Sequence, residues 1–317
     1  MKVVAVDIGG THARFALAEV AGSAVALGKV ITFATKDFGS FEAAWRAFAR
    51  HACEPLPERA GIAVAAPVGK GTIRFTNNPW TIDRDEVVAM LALSHCAVIN
   101  DFEAVGHAIA AVDDVHLEHL AGPHVAPAAV LSVIGPGTGL GVAQVWLLPD
   151  GTTAVQASEG GHATYAATDA LDDALIARIR FRHARVSNER AVSGPALPDI
   201  YAILAEHEGL ASVPRDEREL WAAALSGADR LAEAAAMRLC ASLGSVAGDI
   251  ALIHGSSSVV IAGGLGLRLR DLLPRSEFAA RFQAKGRFEE RMASLPVHLL
   301  VHPQPGLLGA ALCAARR

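Results

Sequence analysis

Apolar runs broken by glycine and proline divide the chain into short strands and amphipathic helices. Val3-Val4-Ala5-Val6-Asp7-Ile8 is largely β-branched, and Ala13-Arg14-Phe15-Ala16-Leu17 follows it across Gly9-Gly10-Thr11. Runs of this kind around a glycine turn predict a hairpin over 3–8 and 13–18, and a further strand is expected over 28–34. Ser40 stands as a cap before Phe41, Ala44, Trp45 and Phe48, whose spacing lays one apolar stripe along a helix over 41–51. Gly61-Ile62-Ala63-Val64-Ala65 reads as a buried strand ended by Ala66-Pro67-Val68-Gly69. Residues 83–93 read as a helix. Ala97-Val98-Ile99 reads as a short strand that meets a new helix near Phe102 across Asn100-Asp101.

Pro123 and Pro127 interrupt the pattern and place a boundary within 107–127. The second half then opens on a hairpin of its own. Val130-Leu131-Ser132-Val133-Ile134 leads into Gly135-Pro136-Gly137-Thr138-Gly139, and Leu140-Gly141-Val142-Ala143 leads away. A strand over 152–157, Ala-rich helices over 168–182 and 217–253, strands over 259–262 and 297–301, and a closing helix from Gly306 complete the pattern. Return of that last helix to the N-terminal part makes the first domain discontinuous: residues 1–108 plus 303–317, with 109–302 as the larger second domain. Strands alternating with helices make the chain α/β.

The two glycine turns carry the first functional signal. Glycine supplies positive φ and close backbone approach. A turn of this kind can aim several N–H groups and a threonine hydroxyl at one anion. Two of them in one chain suggest two related halves that hold one polyphosphate. Neither is a Walker A loop, because no stretch supplies Gly-x-x-x-x-Gly-Lys-Ser/Thr. Neither is a dinucleotide fingerprint, because residues 135–141 alternate Gly-x-Gly-x-Gly-x-Gly and both turns lead into strand rather than helix.

Composition narrows the class. With 317 residues the chain can bury two cores, and 52% hydrophobic with 19% charged residues fits a soluble α/β protein. A net charge of −5 leaves no basic footprint for nucleic acid and argues against binding to anionic membranes. Cys53, Cys96, Cys240 and Cys313 stand far apart, without zinc spacing or a Cys-x-x-Cys pair, which points to free thiols in a reducing cytosol. The N-terminus runs directly into a strand without a secretory pattern, so a cytoplasmic protein is expected. Residues 121–149 lack Asp, Glu, Lys and Arg but are broken at Gly135-Pro136-Gly137, and read as a buried hairpin rather than a membrane span.

Candidate chemistry sits where strands end. Asn100-Asp101 follows a buried strand, where an Asp can accept a proton from a hydroxyl and an Asn can donate and accept hydrogen bonds. The same pair serves equally well as a helix cap. Glu159-Gly160-Gly161-His162 follows a strand and can bind adjacent hydroxyls of a polyol, or form a plain polar turn. Glu189 lies ahead of Ser193-Gly194-Pro195 and by itself reads as a loop carboxylate. Gly263-Gly264 can admit a base or ribose, or simply turn strand into helix. Asp7 can hold water on Mg²⁺ beside a phosphate, or cap its turn. Asn77, Asn78 and Trp80 can line a cleft wall.

Taken together and in order, these segments resemble the bacterial glucokinase family, within the sugar kinase/actin/Hsp70-type superfamily. The resemblance runs through Asp7-Ile8-Gly9-Gly10-Thr11, Thr76-Asn77-Asn78, Ile99-Asn100-Asp101-Phe102, Gly135-Pro136-Gly137-Thr138-Gly139-Leu140-Gly141, Glu159-Gly160-Gly161-His162 and Glu189-Arg190. It continues through Ser193-Gly194-Pro195, Ile261-Ala262-Gly263-Gly264 and Pro305-Gly306-Leu307-Leu308-Gly309, spanning nearly the whole chain. It implies two ribonuclease H-like domains around a deep cleft, MgATP and D-glucose as substrates, and a homodimer. It makes Asp101 the general base and Asn100, Asp101, Glu159, His162 and Glu189 the sugar ligands. It places Asp7, Ile8, Gly9, Gly10, Thr11, Gly137, Thr138 and Gly139 at the ATP phosphates and Gly263 and Gly264 near the adenosine, with no direct metal ligand beyond water at Asp7.

Two positions depart from the family pattern. His12 stands where the family usually has Asn, and Pro136 stiffens the second turn. The resemblance also admits a kinase for another hexose or an N-acetylhexosamine. A sugar-responsive regulator is disfavoured, because the chain begins at the first phosphate strand without room for a helix-turn-helix. An actin- or Hsp70-like ATPase is disfavoured by the polar set at Asn100, Asp101, Glu159, His162 and Glu189.

Overall fold

The computed structural model describes residues 1–317 except Cys53, Lys70, Thr76, Asn77, 211–214 and Arg317. The chain divides into two compact units. The first comprises Met1–Asp113, Val145–Ala157 and His302–Arg317, and the second Asp114–Gln144 and Ser158–Val301.

In the first unit, strand Lys2–Ile8 lies at the centre of a six-stranded sheet. It pairs antiparallel with His12–Ala21, from Lys2↔Glu19 to Ile8↔Ala13, and parallel with Arg59–Val64, which pairs parallel in turn with His95–Asn100. The near-continuous apolar run is explained by burial on both faces. Val4, Val6 and Ile8 pack with Phe15, Phe41, Trp45 and Phe48 on one side. Val3 and Ala5 pack with Leu307, Ala310 and Ala311 on the other. Ser40 caps helix Phe41–His51 by accepting the Ala43 N–H at 3.2 Å. The C-terminal helix Pro305–Ala315 joins this unit, as the closing pattern predicted.

Three local expectations are corrected here. Residues 28–34 are not one strand: Ala24–Leu27 and Ile31–Ala34 each pair separately with the second strand. Residues 83–93 hold only a short helix, Val87–Met90, after strand Thr81–Asp83 pairs with Thr72–Arg74. Trp80 is not a wall residue. It is almost wholly buried in the aromatic core and donates its indole N–H to the Phe38 carbonyl at 2.9 Å. Thr76 and Asn77 lie outside the described residues.

The unit also takes in Val145–Ala157, which the sequence pattern assigned to the second domain. Gly106 of helix Asp101–Ala108 leaves room for Val145 and Val155. Buried His107 shares a 2.6 Å hydrogen bond with Thr153, and Arg316 donates to the Thr153 carbonyl at 2.9 Å. Burial and the Arg316 charge push the His107 pKa down to about 3, so this imidazole is neutral.

The second unit repeats the plan. A second six-stranded sheet runs Thr153–Ser158, Leu140–Leu147, Val130–Pro136, Ser258–Ile261, Val297–Leu300, Leu117–Ala121. Val130–Pro136, Ser258–Ile261 and Val297–Leu300 run parallel, and Leu117–Ala121 closes one edge antiparallel. The expected helix over 217–253 is two helices, Glu217–Ser226 and Arg230–His254. Gly227 ends the first in the left-handed region and Asp229 caps the second. Arg230–His254 is long and apolar enough to cross a membrane, yet most of it is buried inside the unit as a core helix. The described cysteines Cys96, Cys240 and Cys313 are free, and burial pushes each thiol up to about 12.

Candidate active site

Sheet register gathers the first group of residues. Ile8 pairs with Val64, and Val64 pairs with Asn100. The Gly9-Gly10-Thr11 turn and the Asn100-Asp101 junction therefore leave the same end of the first unit's sheet, two strands apart, or roughly 10 Å. Gly9 N–H closes the turn on the His12 carbonyl at 2.9 Å, and Thr35 ties it down by donating to Gly10 O at 3.1 Å. Thr11 and His12 are exposed, and the Thr11 hydroxyl lies 2.9 Å from His12 Nδ1. The residue that departs from the family pattern thus contacts the threonine of the turn.

Asp7 faces Arg14 across the hairpin, with Arg14 Nη1 donating to Asp7 Oδ2 at 3.1 Å. Burial raises the Asp7 pKa, and the Arg14 charge and hydrogen bond oppose that rise. No local motif marks Arg14, although the hairpin register across the turn pairs it with Asp7. Gly306 opens the C-terminal helix against the same carboxylate. A Cβ there would stand 2.9 Å from Asp7 Cγ and 3.0 and 3.2 Å from its oxygens.

Both readings of Asn100-Asp101 are realised in part. Asn100 is a helix cap: its Oδ1 accepts the Phe102 and Glu103 N–H groups at 2.9 and 3.3 Å, and Glu103 completes a capping box. Its Nδ2 donates to the Ala66 carbonyl at 3.3 Å. Asp101 is the first helical residue and accepts the Phe102 N–H at 2.9 Å on Oδ1. Burial, and then hydrogen bonds and the Asp7 charge, set its pKa. Burial dominates and the Asp7 charge adds to it, raising the carboxyl to about 6. Asn78 is buried in the same unit, with Oδ1 on the Trp80 N–H. Its Nδ2 lacks a hydrogen-bond partner among the described residues.

Leu140 organises the second group. Its carbonyl packs so closely on Gly161 that a Cβ there would overlap it, and its N–H donates to Glu189 Oε2 at 3.0 Å. Glu159 and His162 flank the Gly160–His162 turn, both exposed, with His162 Nε2 3.7 Å from Glu159 Oε2. Glu189 is not a loop carboxylate. It sits half-buried on the short helix Asn188–Val192, capped by Ser187, against the Gly137–Gly139 turn. Gly263 has φ +81° and would bring a Cβ to 2.9 Å from the Pro136 carbonyl, so glycine is required there by the chain itself. Gly264 has open space where a side chain would be.

A glycine turn leading off the central strand of each sheet, with a raised-pKa aspartate at a strand end, defines a sugar-kinase-type α/β protein with the actin-like two-domain ATPase fold. The comparisons name the branch. The family model described as Glucokinase matches residues 4–317. The chain is 48% identical over 320 residues to a glucokinase from Zymomonas mobilis, covering all of this chain and 98% of that one. It is 36% identical to a glucokinase from Caulobacter vibrioides, covering 96% and 93%. The crystal structure of a glucokinase from an Antarctic psychrotroph superposes with a TM-score of 0.88 at 32% identity, over 99% of this chain and 98% of that one. The same fold recurs, at 18% identity and a TM-score of 0.63, in a Streptomyces griseus ROK-family glucokinase solved with glucose and AMPPNP, over 99% of each chain. The chain belongs to the glucokinase family.

Proposed function

We propose that this chain transfers the γ-phosphoryl group of MgATP to the 6-hydroxyl of D-glucose, giving glucose 6-phosphate and ADP, with Asp101 as general base. The observation that carries the assignment of the base is Asp101 itself: a carboxylate at the carboxyl end of a buried strand, held by its helix, with its pKa raised to about 6. Phosphoryl transfer passes through a loose transition state, so positioning and charge stabilisation matter more than a strong base. With Oδ1 held by the Phe102 N–H, Oδ2 can orient the sugar hydroxyl in line and take its proton.

Asn100, Glu159, His162 and Glu189 are read as partners of the remaining hydroxyls. Asn100 also caps its helix, so only its second Nδ2 hydrogen is spare for sugar. The turns at Asp7–Thr11 and Gly137–Gly139 are read as the phosphate cradle, with Gly263 and Gly264 beside the adenosine. Magnesium would arrive with ATP and neutralise phosphate charge. The hard oxygen of Asp7, beside Arg14, suits an ion that keeps much of its water. Glucose as the sugar, a homodimer and a cytoplasmic location are our reading, supported by similarity to glucokinases.

The test is ADP release by the purified protein with MgATP, with and without glucose, beside Asp101→Asn. Glucose-dependent turnover that disappears in the variant supports the reading. Equal hydrolysis with and without any sugar refutes it. Inactivity with glucose beside turnover on another hexose moves the assignment to that sugar.

A further inference from the structure

The Gly137–Gly139 turn is gripped at both ends by one short segment. On entry, the Gly137 carbonyl accepts the Gly194 N–H at 2.9 Å. On exit, the Leu140 N–H donates to Glu189 Oε2 at 3.0 Å. Between these, Gly137 N–H closes the turn on the Gly139 carbonyl at 2.8 Å. Glu189 and Gly194 are themselves tied together, because the Ser193 N–H donates to the Glu189 carbonyl at 3.0 Å. The fit is tight. A Cβ on Gly139 would overlap the Glu189 carboxylate, and one on Gly194 would come to 3.4 Å from the Gly137 carbonyl. The segment has its own footing, with Asn188 N–H on the Ala163 carbonyl at 2.8 Å and Ser187 as helix cap.

We infer that Glu189 is a positioning residue for the nucleotide phosphates, acting through the Gly137–Gly139 turn, in addition to its sugar-side role. The inference rests on reading that turn as part of the phosphate cradle. One oxygen of Glu189 fixes the exit of the turn through Leu140, and its other oxygen remains for a sugar hydroxyl. Sugar and nucleotide sites therefore meet in a single carboxylate. A shift of that carboxylate on sugar binding moves the Leu140 N–H with it.

The experiment is calorimetric titration of Mg-AMPPNP without sugar. Glu189→Gln retains an oxygen for the Leu140 N–H, so its nucleotide affinity stays near that of the parent. Glu189→Ala loses the acceptor and is expected to bind roughly tenfold or more weakly, the usual loss for a hydrogen bond to a charged group. Gly139→Ala keeps the carboxylate but pushes it off Leu140. It should weaken nucleotide binding too, and should cost less when added to Glu189→Ala than alone. This second variant keeps the inference testable if Glu189→Ala does not fold. Unchanged Mg-AMPPNP affinity in Glu189→Ala, or in Gly139→Ala, overturns it. So do additive losses in the double variant. Glucose binding is titrated separately. If Glu189→Gln leaves it untouched, the sugar-side reading fails while the turn anchor is judged on nucleotide affinity alone.

Discussion

Replacing Asp101 by Asn sets function against stability in a way that fixes the sign of both effects. Burial, aided by the Asp7 charge, raises the Asp101 carboxyl from 3.8 to about 6. A base with that pKa is about 90% ionised at pH 7 and about 10% ionised at pH 5, so kcat/KM for glucose should fall roughly tenfold over that interval. A carboxylate at its ordinary value would lose less than about a tenth over the same range. Stability runs the other way. The folded pKa lies above the unfolded one, so this group imposes no penalty below about pH 4. The penalty grows as pH rises through about 6, reaching up to about 3 kcal/mol. Asn removes the charge and keeps an Oδ1 acceptor for the Phe102 N–H. Asp101→Asn should therefore lose about 10²–10⁴ in turnover. It should also melt a few degrees above the parent at about pH 8, with the difference vanishing near pH 4. Initial rates of ADP release across pH, with calorimetric melts at both ends of the range, provide the check. An acidic limb near pH 4, or a variant that melts lower than the parent at about pH 8, would refute the reasoning.

Two further substitutions probe the surroundings. Gly306→Ala places a methyl group 2.9 Å from Asp7 Cγ and should displace that carboxylate. The expected result is a several-fold rise in KM for MgATP, with glucose binding by calorimetric titration unchanged, and a stability loss of about 1–3 kcal/mol from the overpacking itself. Asp172 is fully buried and accepts hydrogen bonds from Tyr165 at 2.7 Å and the Thr168 N–H at 3.0 Å, while Arg238 and Arg281 pair with it. Asp172→Ala leaves Arg238 and Arg281 sharing the single Asp169 carboxylate, strips Tyr165 and Thr168 of their acceptor, and should destabilise the second unit by about 3–5 kcal/mol, measured by urea unfolding. A loss below about 1 kcal/mol would show that the network is solvated.

Local pattern determined much of this protein. The hairpin at 3–8 and 13–18 was legible because two apolar runs flank a glycine turn, and both signals lie within a few residues. Helix 41–51 was legible because Ser40 and one apolar stripe coincide. Asp101 was legible as a residue at the junction of strand and helix, and its dual role with Asn100 as cap was already implied by residue type. The ordered motifs carried the family, since nine short segments in one order are far more specific than any one of them.

Tertiary structure decided what periodicity does not encode, namely which partner covers each apolar face. Residues 28–34 split because Ile31–Ala34 pairs with the far end of the second strand, near the glycine turn. Val145–Ala157 joined the first unit because Gly106, His107 and Arg316 supply its packing and hydrogen bonds from distant positions. Trp80 left the expected site for the core because Phe38 offers its indole an acceptor. Glu189 gained its place through a hydrogen bond to Leu140, 49 residues away. The raised pKa of Asp101 likewise belongs to no local signal. It arises from burial and from a second carboxylate that parallel pairing across three strands brings to the same end of the sheet.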